Sequence, residues 1–391
     1  TKILSRKLTK FNHGFQGLVI QQVAQFKYLK ATGLIRDYAS KLINRVYKIE
    51  KAQRKIGIIS ASINGVREPL MMTVVVMVIL LQVKVFGGSL ASIILSILFF
   101  YRALGSIMSL QTEWNRFLSV TGSLENVSSF TEELSTGKEY VGMKKIDRFY
   151  NSIELQDVSF SYQNTPTLKD ICLSIHKNET IAFVGESGSG KTTLLNIICG
   201  LLEPDKGNIM VDHIPFTELN ITSLQRRIGY ITQEPVIFND TIFNNVTFWS
   251  KKTNENIVAF HDALQKANIL QFVNNLPKQH DTILGNNGIN LSGGQKQRIS
   301  IARELFKNVD FLFMDEATSS LDSETETQIQ SNIELLHGQY TILIIAHRLS
   351  TIKNADRVVV LDEGHIQKIG TYTQLLSESN SFKRMVELQQ I

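Results

Sequence analysis

Gly185-Glu-Ser-Gly-Ser-Gly-Lys-Thr192 fits the pattern G-x-x-x-x-G-K-[ST] at every fixed position. It stands between an apolar, strand-like run, Thr180–Val184, and a run with helical spacing over 193–202. Glycines at this spacing let a backbone wrap a phosphate, with successive N–H groups pointing inward at a helix N-terminus. Gly185, Glu186, Ser187, Gly188, Ser189, Gly190 and Thr193 are therefore candidate phosphate-binding residues. Lys191 is placed to reach the β- and γ-phosphates of a nucleotide, and the Thr192 hydroxyl is a candidate Mg²⁺ ligand.

Val309-Asp-Phe-Leu-Phe-Met-Asp315-Glu316 supplies a second half for that chemistry. An apolar strand that ends in a carboxylate sets Asp315 at the carboxyl edge of a sheet, where it can hold Mg²⁺. Glu316, one residue on, can polarise an attacking water. An Asp-Glu pair after a strand is by itself as readily a turn or a helix cap. The phosphate loop tips the reading toward catalysis.

These residues need a scaffold, and the runs beyond residue 150 describe one. Strand-like and helix-like segments alternate at 153–162, 180–184, 193–202, 311–314, 328–336 and 341–346. That order predicts an α/β domain built on a largely parallel sheet, over 151–391. A polar, loop-like stretch at 131–150, with Ser135-Thr-Gly-Lys138, reads as the linker before it.

The front of the chain is different in kind. Residues 1–56 carry a net charge of +11 and the remainder −6, although the whole is only +5. Such a basic segment suits either nucleic acid or the cytoplasmic flank of a bilayer. The residues that follow decide for the bilayer and against nucleic acid. Two nearly uncharged runs, within about 57–86 and 89–112, approach the ~20 apolar residues of a membrane span. Arg67, Glu68, Lys84 and Arg102 interrupt them and must face a helix-bundle interior, a watery cavity or the interface. The alternative is a pair of buried helices in a soluble bundle. Residues 2–55 predict two long amphipathic helices with a break around Ala31-Thr-Gly33. This half is thus expected to be all-α, with two spans. Cys172 and Cys199 both lie in apolar runs and are expected to be buried free thiols.

Leu291-Ser-Gly-Gly-Gln295, followed by Lys296-Gln-Arg298, resembles the signature sequence of ATP-binding-cassette (ABC) proteins, and it occurs here with both nucleotide motifs in the right order. The resemblance is strong over roughly 150–391 and rests on pattern alone over 1–130. It implies a P-loop NTPase cassette with a helical subdomain, using ATP and Mg²⁺. It makes Tyr162 the aromatic on adenine, Gln233 the loop glutamine that senses Mg²⁺ and contacts the membrane domain, and His347 the switch histidine on the γ-phosphate. Ser292, Gly293, Gly294 and Gln295 would close on ATP held by a partner cassette, with Asp322 in the loop that crosses the interface. Taken singly, Tyr162 and His347 would read as ordinary sheet residues; their order and spacing carry the assignment.

A membrane segment followed by an ATPase on one chain resembles the exporter arrangement, in a multi-pass inner or plasma membrane with the ATPase cytoplasmic. By that resemblance the partner is a second copy or a homologous half-transporter, the surroundings are membrane lipid, and the transported substrate is not specified. The break near 31–37 would be a coupling helix, and four further spans would precede Thr1. Asn286 departs from the pattern, because exporters usually carry there a Glu that contacts the coupling helices. The competing readings are a fragment that binds ATP without transport and a soluble cassette ATPase.

Overall fold

The computed structural model describes residues 2–84, 90–136, 142–163, 165–315, 331, 334–345 and 352–389. The chain divides into two compact units, Thr1–Glu139 and Tyr140–Ile391.

The first unit is helical, with α1 (Lys2–Ala24), α2 (Phe26–Ala31), α3 (Ile35–Lys84) and α4 (Leu90–Thr136). The predicted break is a Schellman turn. Gly33 adopts φ +74°, its amide donates to the Lys30 carbonyl (3.3 Å), and the Leu34 amide donates to the Leu29 carbonyl (3.0 Å). Only glycine takes that left-handed conformation without cost, so the helix ends there. The short separate helix therefore lies at Phe26–Ala31, before the glycine, and not at 31–37 as the sequence suggested. Tyr38 ties α3 back to α1, donating to the Leu18 carbonyl (3.3 Å) and the Gln21 side chain (2.9 Å).

The expected cytoplasmic helix and first span prove to be one continuous rod. α3 runs for 50 residues, through Pro69. Its stretch Ile35–Leu81 is the one segment among the described residues long and apolar enough to cross a membrane, by length and composition. Leu70, Val76, Met77 and Leu80 on α3, and Leu98 and Phe99 on α4, stand exposed. Among the described residues this unit buries only Leu29, Ala52 and Met71. An apolar helix surface left this open requires an apolar medium or further helices around it.

The second unit begins before the expected 150 boundary. α4 continues through Thr136, and residues 142–150 already belong to the cassette. Phe149 is fully buried against Phe311 (ring centroids 4.4 Å apart), and its amide donates to Asp310 (3.0 Å).

Six strands form the main sheet, in the order β10 (His365–Gly370), β9 (Arg357–Asp362), β3 (Thr180–Val184), β8 (Thr341–Ile345), β7 (Phe311–Asp315), β6 (Ile228–Ile231). All neighbours are parallel except the β10–β9 hairpin. Helices or a second sheet cover both faces, which is why these strands read as unbroken apolar runs. One face, with Ala182, Val184, Leu312 and Met314, packs on α7 (Ile242–Thr247), α8 (Asn254–Lys266) and α10 (Gly293–Phe306). The other, with Ile181, Phe183, Phe311 and Phe313, packs on α5 (Lys191–Ile198) and on an antiparallel sheet. That second sheet, ordered β2 (Thr165–His176), β1 (Ser152–Tyr162), β4 (Lys206–Val211), β5 (Ile214–Pro215), was not anticipated beyond β1. Cys199 is buried as expected, but Cys172 is exposed. Strand alternation buries Ile171 and Leu173 and turns Cys172 outward, where its thiol donates to Asp157 (3.1 Å).

Candidate functional site: a phosphate loop at the carboxyl edge of a parallel sheet

β3 delivers the chain to Gly185, whose φ of +153° only glycine tolerates. A Cβ there would lie 2.1 Å from the Leu361 carbonyl oxygen. The loop closes through the Ser189 amide on the Glu186 carbonyl (3.2 Å). Gly190, at φ +100°, caps α5, with Leu168 and Thr167 of β2 against it. Lys191 is buried and folds back over the loop, donating to the carbonyls of Gly185 (2.9 Å) and Glu186 (2.8 Å). The amides of Lys191, Thr192 and Thr193 open α5 and have no carbonyl above them within the helix. Thr192 is exposed, whereas Thr193 is buried and offers only its amide.

Asp315 ends β7 and Gln233 lies exposed just beyond the end of β6. Asp315 is not adjacent to the phosphate loop's strand, because β8 runs between β3 and β7. Glu316, Asp322 and His347 lie outside the described residues; β8 ends two positions before His347 in the sequence. Beneath this edge, Tyr230 of β6 donates to Asn196 of α5 (3.3 Å). Burial, and then the charge of Asp315, push the Cys199 thiol up. Burial, with Cys199 and Asp315, does the same to the Tyr230 phenol. Both groups stay protonated and serve as packing and hydrogen-bonding groups.

Tyr162 ends β1 half exposed, edge-on to Phe160 (4.9 Å). Its hairpin partner is Thr165, two residues before the Thr167 carbonyl that borders Gly190. Ser292 caps α10 in a capping box: its hydroxyl accepts from the Gln295 amide (3.3 Å), and the Gln295 side chain accepts from the Ser292 amide (2.9 Å). Gln295 thus first shapes the helix start, while Gly293 stands exposed at it. Asn286 is exposed, opening a short 3₁₀ turn.

The sequence reading missed Arg303 and Asn245, two buried polar residues that bond to each other. A visible signal existed, since Arg303 interrupts the apolar set Ile299, Ile301, Ala302 and Leu305 on one helix.

A phosphate loop opening a helix beside a parallel sheet, with a carboxylate at the same edge and a capped glycine-rich helix start elsewhere, defines a nucleotide-binding cassette. Residues 168–319 match the family model described as ABC transporter. The chain carries an ATP-binding domain of the ABC transporter family. It is 44% identical over 245 residues to the ATP-dependent lipid A-core flippase of Syntrophus aciditrophicus, covering 63% of this chain and 40% of that protein. The flippase of the same name from Alkalilimnicola ehrlichii is 37% identical over 304 residues, 77% of this chain and 51% of that one. A putative multidrug export ATP-binding/permease protein of Staphylococcus aureus is 41% identical over 257 residues, covering 65% and 44%. The chain thus spans about half the length of the curated relatives it matches. A bacterial Atm1-family ABC exporter with ATP bound shares the fold, with a TM-score of 0.84 at 24% identity, over 100% of this chain and 70% of that one.

Proposed function

We propose that this chain is the ATP-hydrolysing part of an ABC-type exporter, in which ATP binding draws two cassettes together and hydrolysis lets them part. The observation that carries the reading is the common carboxyl edge of β3 and β7, which bears the phosphate loop and, across β8, Asp315. Thr192, Asp315 and Gln233 are hard oxygen donors of the kind that suits Mg²⁺, which would neutralise charge on the β- and γ-phosphates. Lys191 holds the phosphates, and Tyr162 takes the adenine. Glu316 accepts the proton of the water that attacks the γ-phosphorus, ADP leaves as the P–O bond breaks, and His347 contacts the γ-phosphate. Ser292, Gly293, Gly294 and Asp322 complete the site of the partner cassette, supplied by a second copy or a homologous half-transporter.

The apolar exposure of α3 and α4 supports a place in a membrane, and the net charge of +11 over residues 1–56 supports a cytoplasmic side for the cassette. The lipid A-core flippase and multidrug export names of its relatives support an exporter.

The test is ATP hydrolysis by the chain held in nanodiscs, across a range of protein concentrations, with Glu316→Gln as control. Specific activity that rises with concentration and is absent from the variant supports paired, composite sites. Activity independent of concentration, or equal in the variant, refutes them.

A further inference from the structure

The guanidinium of Arg303, buried in α10, makes three hydrogen bonds to two other elements. Nε donates to the Asn245 carbonyl (2.6 Å), Nη1 to the Val236 carbonyl (2.7 Å) and Nη2 to the Asn245 side-chain oxygen (3.0 Å). Asn245, at 1% exposure, spends its remaining capacity on the same segment. Its Oδ1 accepts from the Phe238 amide (2.8 Å), and its Nδ2 donates to the carbonyls of Phe238 (3.0 Å) and Thr241 (3.0 Å). The cation also lies over the rings of Phe238 (5.2 Å) and Phe248 (5.6 Å). Phe238 in turn packs on Trp249 (5.1 Å), whose indole donates to Asp240 (2.7 Å).

Burying a guanidinium is costly, and here desolvation lowers its pKa. A network whose members are all satisfied recovers that cost as rigidity and specific geometry. What it makes rigid is informative. Val236 lies three residues after Gln233, on the loop leaving β6. Arg303 lies ten residues along α10 from Gly293, about 15 Å at 1.5 Å per residue. The loop of one candidate site residue and the helix that presents another are therefore bolted together at one side chain.

We infer that Arg303 is a positioning residue that makes the Gln233 loop and the Ser292–Gly294 end of α10 move as one body, so that a shift of the loop at bound nucleotide re-aims the helix end meant for the partner. This rests on the ATPase reading above. It requires the planar fork of arginine, because three separate nitrogens reach the three acceptors, whereas a lysine would have to gather all of them around one nitrogen.

The test uses the full chain in nanodiscs, in a Trp114→Phe background that leaves Trp249 as the one tryptophan. Arg303→Lys keeps the charge and guards against misfolding, and Arg303→Met removes it. The expected result for Arg303→Lys is an Mg·ATP affinity within about threefold of the parent, with kcat reduced at least ~10-fold. Trp249 emission should shift to the red as Phe238 leaves it, and Arg303→Met should exaggerate both changes. Parental kcat in folded Arg303→Lys overturns the inference, as does a loss of affinity that matches the loss of rate. If the parent itself hydrolyses no ATP, the ATPase reading fails and takes the positioning role with it; a red shift would then report a purely structural clamp.

Discussion

Asp315 and Phe183 lie in one transverse row of the parallel sheet, each paired in register with Ile345 of the strand between them. Two strand spacings, about 9–10 Å, thus separate the carboxylate's strand from the one that feeds the phosphate loop. Asp315→Asn keeps the shape and removes the charge, so the expected outcome is ATP turnover reduced at least ~10-fold with weakened Mg²⁺ dependence. A Mg²⁺ titration of hydrolysis that is unchanged in the variant would remove Asp315 from the site.

Gly190 tests the close approach of β2 to the phosphate loop. Alanine there would place its Cβ 2.7 Å from a Leu168 methyl, at a φ of +100°. Strain of this kind costs about 1–3 kcal/mol. Gly190→Ala should lower the cassette's unfolding midpoint and weaken nucleotide binding. Gly188→Ala provides the contrast, because no atom lies within 4 Å of its built Cβ, although φ is +84°. Equal losses in both variants would mean that backbone conformation alone matters.

Phe149 anchors residues 142–150 to the cassette core. Phe149→Ala removes a fully buried ring, an expected cost of about 3–5 kcal/mol. Denaturant unfolding followed at the cassette should show it. A change below about 1 kcal/mol, the scale of an ordinary surface substitution or less, would mean the segment is not held as described.

Glu304 gives a pH signature. Burial raises its pKa, only partly offset by Lys307 (2.7 Å away) and Arg303. With the folded value above the unfolded one, its contribution to stability is full below the unfolded pKa and lost as pH rises through the folded pKa. The cassette should therefore gain stability on moving from neutral pH to the upper edge of the ordinary glutamate range. Glu304→Gln should flatten that part of the profile and melt higher at neutral pH. A variant that melts lower at every pH would show that the Lys307 pair outweighs burial.

Several features of both units were legible because their information is local. The G-x-x-x-x-G-K-T spacing, the apolar runs of β3, β7 and β8 and the Gly33 break each depend on a few consecutive residues. What each must do follows from backbone conformation or from strand and helix period. Local patterns also mislead where alternation is hidden, as at Cys172, whose apolar neighbours conceal that it sits on the outward beat of β2.

The order of strands was beyond that reach. No run of residues records that β8, late in the chain, inserts between β3 and β7, or that β2 seals the phosphate loop at Gly190. Nor does any motif join Arg303 to Val236, 67 positions away. The sequence by itself determined which groups are candidates to bind phosphate and where the chain breaks at Gly33, because those depend on backbone freedom and charge along the chain. Tertiary structure alone decided which of those groups share an edge and which buried cation locks a loop to a helix, because such contacts form only when distant segments bury the same surface.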